Sequence, residues 1–167
     1  MNLIIIFTVL VSGVDIGGRV GVAFPTAGIN RYTRSSTVIG LQTGYSFKQH
    51  RLELGYSYLT FPGRVNIPYE LNIYHLSLLY ENEFFHRPAW GISAGAGAGF
   101  GFIRRSFNTG LENGRAPNAS LVLKFIQHEG RSRVSAGLDN MIFFEKTGSG
   151  PALTYFPMLR AEVAYVF

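Results

Sequence analysis

The sequence has 167 residues, which is enough for one domain and hardly two. It is 47% hydrophobic, with fourteen Phe and nine Tyr, and only 15% charged, which excludes a disordered chain. The lack of cysteine excludes a disulfide framework and a thiolate metal site, and a formal charge of +5 indicates anionic lipid neighbours rather than a nucleic-acid partner.

The first segment, residues 1–13, reads MNLIIIFTVLVSG and is apolar until its small final residues. It is too short for a spanning helix, which needs about 20 residues. Its length and small-residue end are typical of a secretory signal cleaved after Gly13, although the missing Lys or Arg favours a truncated or mis-assigned start. A buried first strand is the alternative, but the run does not alternate. We predict an export signal over 1–13 and one domain over 14–167.

From Asp15 onward, eight segments alternate with a period of two, so that each has one bulky apolar face and one small, polar or charged face. The clearest is 90–102, where aromatic and aliphatic residues alternate with Gly and Ser. Segments of about ten residues match the reach of tilted transmembrane strands. The predicted strands contain residues 19–24, 37–47, 52–58, 74–81, 90–102, 120–125, 133–139 and 159–167.

The bulky face is continuous and carries aromatic residues near its ends, as a lipid-facing surface requires. Charges are costly toward lipid, so the thinner charged set must face the lumen. Short connections (48–50, 84–88, 128–132) alternate with long ones (25–36, 61–70, 103–117, 145–155). The sequence therefore predicts an all-β protein, an eight-stranded antiparallel up-and-down transmembrane β-barrel with short periplasmic turns and long outer loops.

The predicted lumen face carries four cations and four anions. They are Arg19, Lys124, Arg133 and Arg160, and Glu53, Glu81, Asp139 and Glu162. The interior of an eight-stranded barrel is just wide enough for side chains to fill. Confined charges should pair, since an unpaired one loses solvation without compensation. We predict an ion-paired plug; the alternative is a water-filled lumen.

The final strand, LRAEVAYVF, and the glycine-alternating strand, GISAGAGAGFGF, resemble those of small bacterial outer-membrane barrels of the OmpA transmembrane-domain, OmpX and OmpW type. The resemblance covers roughly residues 15–167. It implies an outer-membrane location and recognition of the final strand by the barrel-assembly machinery, through Leu159, Val163, Tyr165 and Phe167. We expect a monomer without cofactors.

A catalytic alternative comes from Tyr74-His75-Leu76-Ser77, with Glu81 on the same face. These residues resemble the His, Ser and Glu of lipid A deacylases of the PagL type, which share the barrel fold. However, the HxSNAG stretch of that family is missing near the C-terminus, and the pair lies on the lumen face, where lipid cannot reach. A polar lumen stripe is the favoured interpretation.

The predicted outer loops are rich in arginine. The candidates for contact with lipopolysaccharide phosphates, which arginine binds bidentately, are Arg31, Arg34, Arg64, Arg104, Arg105 and Arg115. Ordinary solvated loop charge explains them equally well, and the loop aromatics equally suit adhesion to proteins. The four His show no metal-ligand spacing, so no metal site is predicted.

The functional hypothesis is a non-catalytic outer-membrane barrel with a structural or surface-interaction role and a lumen plugged by ion pairs. A narrow channel for small or hydrophobic solutes, as in OmpW-like proteins, is the alternative. A lipid A-modifying enzyme is the third and least favoured reading.

Deleting Phe167 is expected to impair barrel assembly, because the resemblance locates the assembly signal at the end of this strand. The measurement is the fraction of heat-modifiable, folded barrel in the outer membrane, with deletion of one residue from the loop around Val65 as control. Normal folded levels without Phe167 would contradict the prediction.

Overall fold

The protein is described here from a computed structural model that covers residues 13–147 and 150–167. The predicted export segment lies outside the described residues, apart from Gly13. The eight strands are β1 (Val14–Ala23), β2 (Ser36–Phe47), β3 (His50–Phe61), β4 (Tyr69–His86), β5 (Trp90–Phe107), β6 (Gly110–Glu129), β7 (Ser132–Thr147) and β8 (Gly150–Val166). A short 3₁₀ helix, Ala27–Arg31, lies between β1 and β2. No helix in these two ranges is long and apolar enough to cross a membrane.

Each strand pairs antiparallel with its sequence neighbours, and β1 pairs with β8 to close the barrel. In the closing ladder, Arg19 lies opposite Glu162 and Val22 opposite Leu159. Closure removes both sheet edges, which is the condition for a sheet to cross a bilayer without unpaired backbone groups. The predicted fold class is confirmed.

The outer wall is a continuous apolar surface. Aliphatic side chains with about half of their area exposed form its middle, for example Leu123, Leu138 and Leu159. Exposed aromatic side chains lie toward both ends, with Tyr165 and Trp90 at one and Phe102 and Tyr74 at the other. An apolar surface of this extent is unfavourable in water. It suits a bilayer whose two interfaces lie at the aromatic ends of the barrel.

Three short turns lie at the same end of the barrel as the beginning of β1 and the end of β8; this is called the turn end. Two turns depend on a left-handed backbone, at Lys48 (φ 56°) and Gly130 (φ 59°). Two-residue hairpins favour positive φ because its twist matches that of the paired strands.

The opposite end, called the hairpin end, differs from expectation. The long loops predicted at 103–117 and 145–155 are wrong, because β5 and β6 pair as far as Phe107 and Gly110, and β7 and β8 as far as Thr147 and Gly150. Gly114 and Pro151 lie inside these strands although glycine and proline are depleted in strands. They are tolerated here because cross-strand pairing continues on both sides of them.

Replacing Leu138 with Arg is expected to cost about 2–4 kcal/mol of barrel stability, because it buries a charge in the lipid-facing wall. Urea unfolding of the barrel in lipid vesicles measures the effect. The matched control is Val65→Arg, at a position 70% exposed in the β3–β4 connection, where almost no cost is expected. Equal costs at the two positions would show that Leu138 does not face lipid.

Candidate functional site

The barrel lumen contains two stacked layers of side chains. The half nearer the turn end holds charged groups, and the half nearer the hairpin end holds apolar groups. Both sets come from the inward-facing positions of the strands, because successive residues of a strand alternate between the two faces. These layers form the candidate functional site.

Glu53 lies at the centre of the charged layer and is fully buried. Its carboxylate accepts hydrogen bonds from Arg19 Nη2 at 2.6 Å, from Lys124 Nζ at 3.5 Å and from Arg51 Nη1. Three cations from three strands therefore share one carboxylate. Such sharing is how buried charges offset the loss of hydration.

Arg51 and Lys124 extend the network. The Arg51 guanidinium donates to both Asp15 oxygens, at 2.6 and 2.9 Å, in the bidentate geometry that suits arginine, and reaches Glu81 at 3.2 Å. Lys124 Nζ lies 2.5 Å from a Glu81 oxygen and 2.9 Å from a Glu162 oxygen. The lysine thus joins β4 to β8 across the lumen.

The remaining pairs complete the layer toward β7. Arg160 contacts Asp139 at 2.7 Å and Glu162 at 2.6 Å, and Arg133 contacts Glu81 at 3.4 Å. Arg19 lies opposite Glu162 in the closing ladder, but its ion pair runs to Glu53 instead. The structure brings together all eight lumen charges named from the sequence, each at most 9% exposed.

Sequence reasoning missed two members, Asp15 and Arg51. Asp15 precedes Arg19 by four residues and Arg51 precedes Glu53 by two, so both have inward parity. Both lie near strand ends, outside the predicted strand segments 19–24 and 52–58. With them the layer holds five cations and five anions.

Glycines make room for these long side chains. A Cβ at Gly55 would lie 2.5 Å from Arg19 Nη2, and one at Gly44 would lie 2.6 Å from Arg51 Nε. The Arg51 guanidinium therefore lies against the backbone of the neighbouring β2, and the Arg19 guanidinium lies against that of β3, beyond its neighbour β2. Side chains rather than open space fill this part of the lumen.

The apolar layer was not predicted. It consists of Ala23, Val38, Leu59, Phe61, Leu71, Ile73, Ile103, Ala116, Met141, Phe143, Phe156 and Met158, all at most 3% exposed. Phe156 has its ring centroid 4.9 Å from that of Phe61 and 5.8 Å from that of Phe143, whose ring lies against Gly101. The expectation of a wholly small, polar or charged lumen is wrong. Ten of these twelve residues lie outside the predicted strands, so the alternation predicted for those strands does not extend to them.

His75 and Ser77 are both buried in the lumen, between the two layers. His75 Nε2 lies 3.2 Å from Asn118 Oδ1, and its ring meets Phe143 edge-on. Ser77 Oγ donates to the carbonyl of Gly55 at 3.4 Å. A serine nucleophile requires a hydrogen bond to its base, whereas these two side chains are engaged with other groups.

The outer arginines occupy different surroundings. Arg104 and Arg115 are exposed diagonal neighbours on β5 and β6 beside Phe102, whose ring the Arg115 guanidinium covers at 5.5 Å. Arg105 points inward and pairs with Glu145. Arg31, Arg34 and Arg64 are exposed in the β1–β2 and β3–β4 connections. Lipopolysaccharide contact at these positions stays a prediction.

The proposed assembly signal lies on the lipid-facing side of β8 and just beyond it. Leu159, Val163, Tyr165 and Phe167 are each about half exposed, and the last two rings stack edge-to-face at 5.2 Å. This is a surface that another protein can contact, and recognition by the assembly machinery remains untested.

No protein-family model matches the chain, and no curated protein sequence matches it either. Its fold resembles solved outer-membrane barrels. Neisserial surface protein A aligns with a TM-score of 0.73 and 12% identity, over 93% of this chain and 98% of that one. Ail of Yersinia pestis aligns with a TM-score of 0.59 and 12% identity, over 93% and 97%. The N-terminal barrel of Pseudomonas aeruginosa OprF aligns with a TM-score of 0.53 and 14% identity, over 90% and 97%.

Replacing Glu53 with Gln is expected to destabilise the barrel by about 3–5 kcal/mol, because three buried cations lose the carboxylate that they share. Because Gln has nearly the same size and shape as Glu, packing is retained, and the loss of stability measures the contribution of the charge. Urea unfolding in lipid vesicles measures it, with the exposed Glu112→Gln as control. Equal stability of the two variants would show that the network is energetically neutral.

Proposed function

We propose that the chain is a non-catalytic outer-membrane barrel with a structural or surface-interaction role, whose lumen is closed. The observation that carries the proposal is the filling of the lumen by two layers of contrasting chemistry. An ion must displace the salt-bridged network at one level and apolar, partly aromatic packing at the next. Either layer opposes conduction, because an eight-stranded interior has room for little more than its own side chains.

The outer-membrane location is supported by the barrel wall. Its aliphatic middle and aromatic ends suit a bilayer, and the resemblance in fold to three outer-membrane barrels agrees with this. In such a setting the turn end faces the periplasm and the hairpin end faces outward. The hairpins and the outer arginines then form the surface available to other molecules.

The non-catalytic role is supported by the surroundings of His75 and Ser77. Both are less than 10% exposed, with hydrogen bonds to Asn118 and Gly55 rather than to each other. A lipid substrate would have to cross the strand wall to reach them. Their polar contacts suit a boundary layer between the charged and apolar halves of the lumen.

Planar-bilayer recording of the pure folded protein tests closure. The wild-type barrel is expected to give no steady channel. Opening one layer with Phe156→Ala should leave the ion pairs in place and give little current. Combining it with Arg160→Ala, which removes the partner of Asp139 and Glu162, should raise the conductance.

Large, steady channels from the wild-type protein would overturn the closed lumen. The matched control is Phe156→Ala combined with Arg64→Ala, because Arg64 is exposed in the β3–β4 connection and belongs to neither layer. If this control conducts as strongly as the Arg160 combination, the charged layer does not contribute to closure.

A second candidate function, uptake or capture of small apolar solutes at the outer end, is favoured by one specific observation. Above the apolar layer lies a cavity of about 730 Å³. Its lining is mainly aromatic and aliphatic, with Tyr32, Tyr69, Phe107, Tyr155, Ile29 and Ile67, and Arg105 at one side. Cavities of this size and chemistry suit drug-sized apolar molecules.

Titration of the folded barrel with an apolar fluorescent probe tests this candidate. Ile67→Glu puts a charge into the cavity lining and is expected to weaken probe binding at least tenfold. Val65→Glu, two residues away and 70% exposed, is the matched control and should bind as the wild type does. Equal binding by both variants would contradict solute capture in this cavity.

A further inference from the structure

Glu83, His86 and His128 form a cluster at the turn end that takes no part in the lumen network. Their candidate ligand atoms all lie within 4.8 Å of one another. Glu83 Oε1 lies 2.7 Å from His86 Nδ1 and 3.2 Å from His128 Nε2. One carboxylate oxygen thus faces two imidazoles, one from β4 and one from β6.

A β-bulge creates this arrangement. Asn82 pairs with Ala94 and Phe85 with Ile92, so Glu83 and Phe84 together stand opposite a single residue of β5. In a regular strand, residues three apart face opposite sides. The extra residue of the bulge places Glu83 and His86 on the same side of β4. Bulges commonly redirect side chains in this way.

His128 reaches the pair across β5 because the intervening position is Gly91. A Cβ there would collide with Glu83 Oε1, so the glycine leaves the space that the carboxylate occupies. The backbone on both sides is fixed: Glu83 N donates to Gln49 O at 2.7 Å, and His128 N donates to Ala89 O at 2.9 Å. The backbone positions from which the Glu83 and His128 side chains project are therefore held by hydrogen bonds.

We propose that Glu83, His86 and His128 form a zinc-binding site at the turn end of the barrel. Imidazole nitrogen and carboxylate oxygen are ligands that Zn²⁺ favours, and three protein ligands leave a fourth position for water. Ligand atoms about 2.0–2.1 Å from a tetrahedral zinc lie roughly 3.3–3.4 Å apart. The observed 3.2 Å separation is close to this, and the His86 side chain, 52% exposed, can move the remaining distance.

Bound zinc would join β4 to β6 across β5, close to the turns and on the side accessible to solvent. The metal would stabilise the barrel, since a ligand that binds the folded state and not the unfolded chain shifts the unfolding equilibrium. Calcium and magnesium prefer oxygen ligands and are expected to bind poorly.

Calorimetric titration of ZnCl₂ into the full folded barrel in detergent micelles tests the proposal. We expect one equivalent of Zn²⁺ to bind, at least tenfold more weakly in His128→Gln, and a zinc-dependent rise in the unfolding temperature that His128→Gln abolishes. Gly91→Ala, which keeps all three ligands but occupies the carboxylate's space, should also weaken binding. The matched control is His50→Gln at the same end, because His50 Nδ1 contacts Tyr80 and Asn82 instead.

Absence of saturable zinc binding would overturn the proposal and leave an ordinary hydrogen-bonded cluster. Binding that is unchanged in the His128 variant, or weakened equally in the His50 variant, would also overturn it. If His128→Gln does not fold, as judged by heat-modifiable mobility, His86→Gln decides instead, since its half-exposed side chain contributes least to packing. Calcium binding of equal strength would show that the ligand chemistry is misassigned.

Discussion

The pairing of β1 with β8 is the constraint on which the rest of the structure depends. Once the ladder closes, every strand has two partners and neither sheet edge is left with unpaired backbone groups, which is what a bilayer demands. Closure also divides the residues of each strand into an outward set and an inward set. The outward set meets lipid and must be apolar. The inward set meets only other side chains in a narrow space, so its members must fill that space and satisfy one another.

The lumen meets this demand by two kinds of chemistry. Near the turn end, ten charged side chains balance as five cations and five anions, with Glu53 and Lys124 joining strands that are not neighbours in the ladder. Near the hairpin end, rings such as Phe143 and Phe156 pack within a cluster of buried apolar side chains. Because the buried network is neutral, the net charge of +5 resides on the exterior and at the two ends. The paired charges are thus buried in the lumen, whereas the excess cations lie where they can contact anionic molecules.

Small residues and local irregularities decide which long side chains can cross the interior. Gly44 and Gly55 receive guanidinium groups, Gly101 receives the Phe143 ring, and Gly91 leaves space for the Glu83 carboxylate. The β4 bulge at Glu83 has the same kind of effect, because one extra residue changes which side chains share a face. The glycine positions, which leave space, therefore determine the chemistry at each level of the barrel as much as the large side chains that fill it.

The sequence by itself determined the strand count, the inside and outside faces, and eight of the ten charges in the charged layer of the lumen, because period-two alternation is a local property that a linear reading captures. It misassigned the hairpin end, since Pro117 and Gly114 look like loop residues until cross-strand pairing overrides local preference, and so it missed the apolar layer. Only the tertiary structure decided which charges pair. Arg19, for example, forms its ion pair with Glu53 and not with Glu162, which lies opposite it in the ladder. The tertiary structure also brought His86 to His128. Shear and closure of the barrel fix distances between strands, and these distances are not encoded in spacing along the chain.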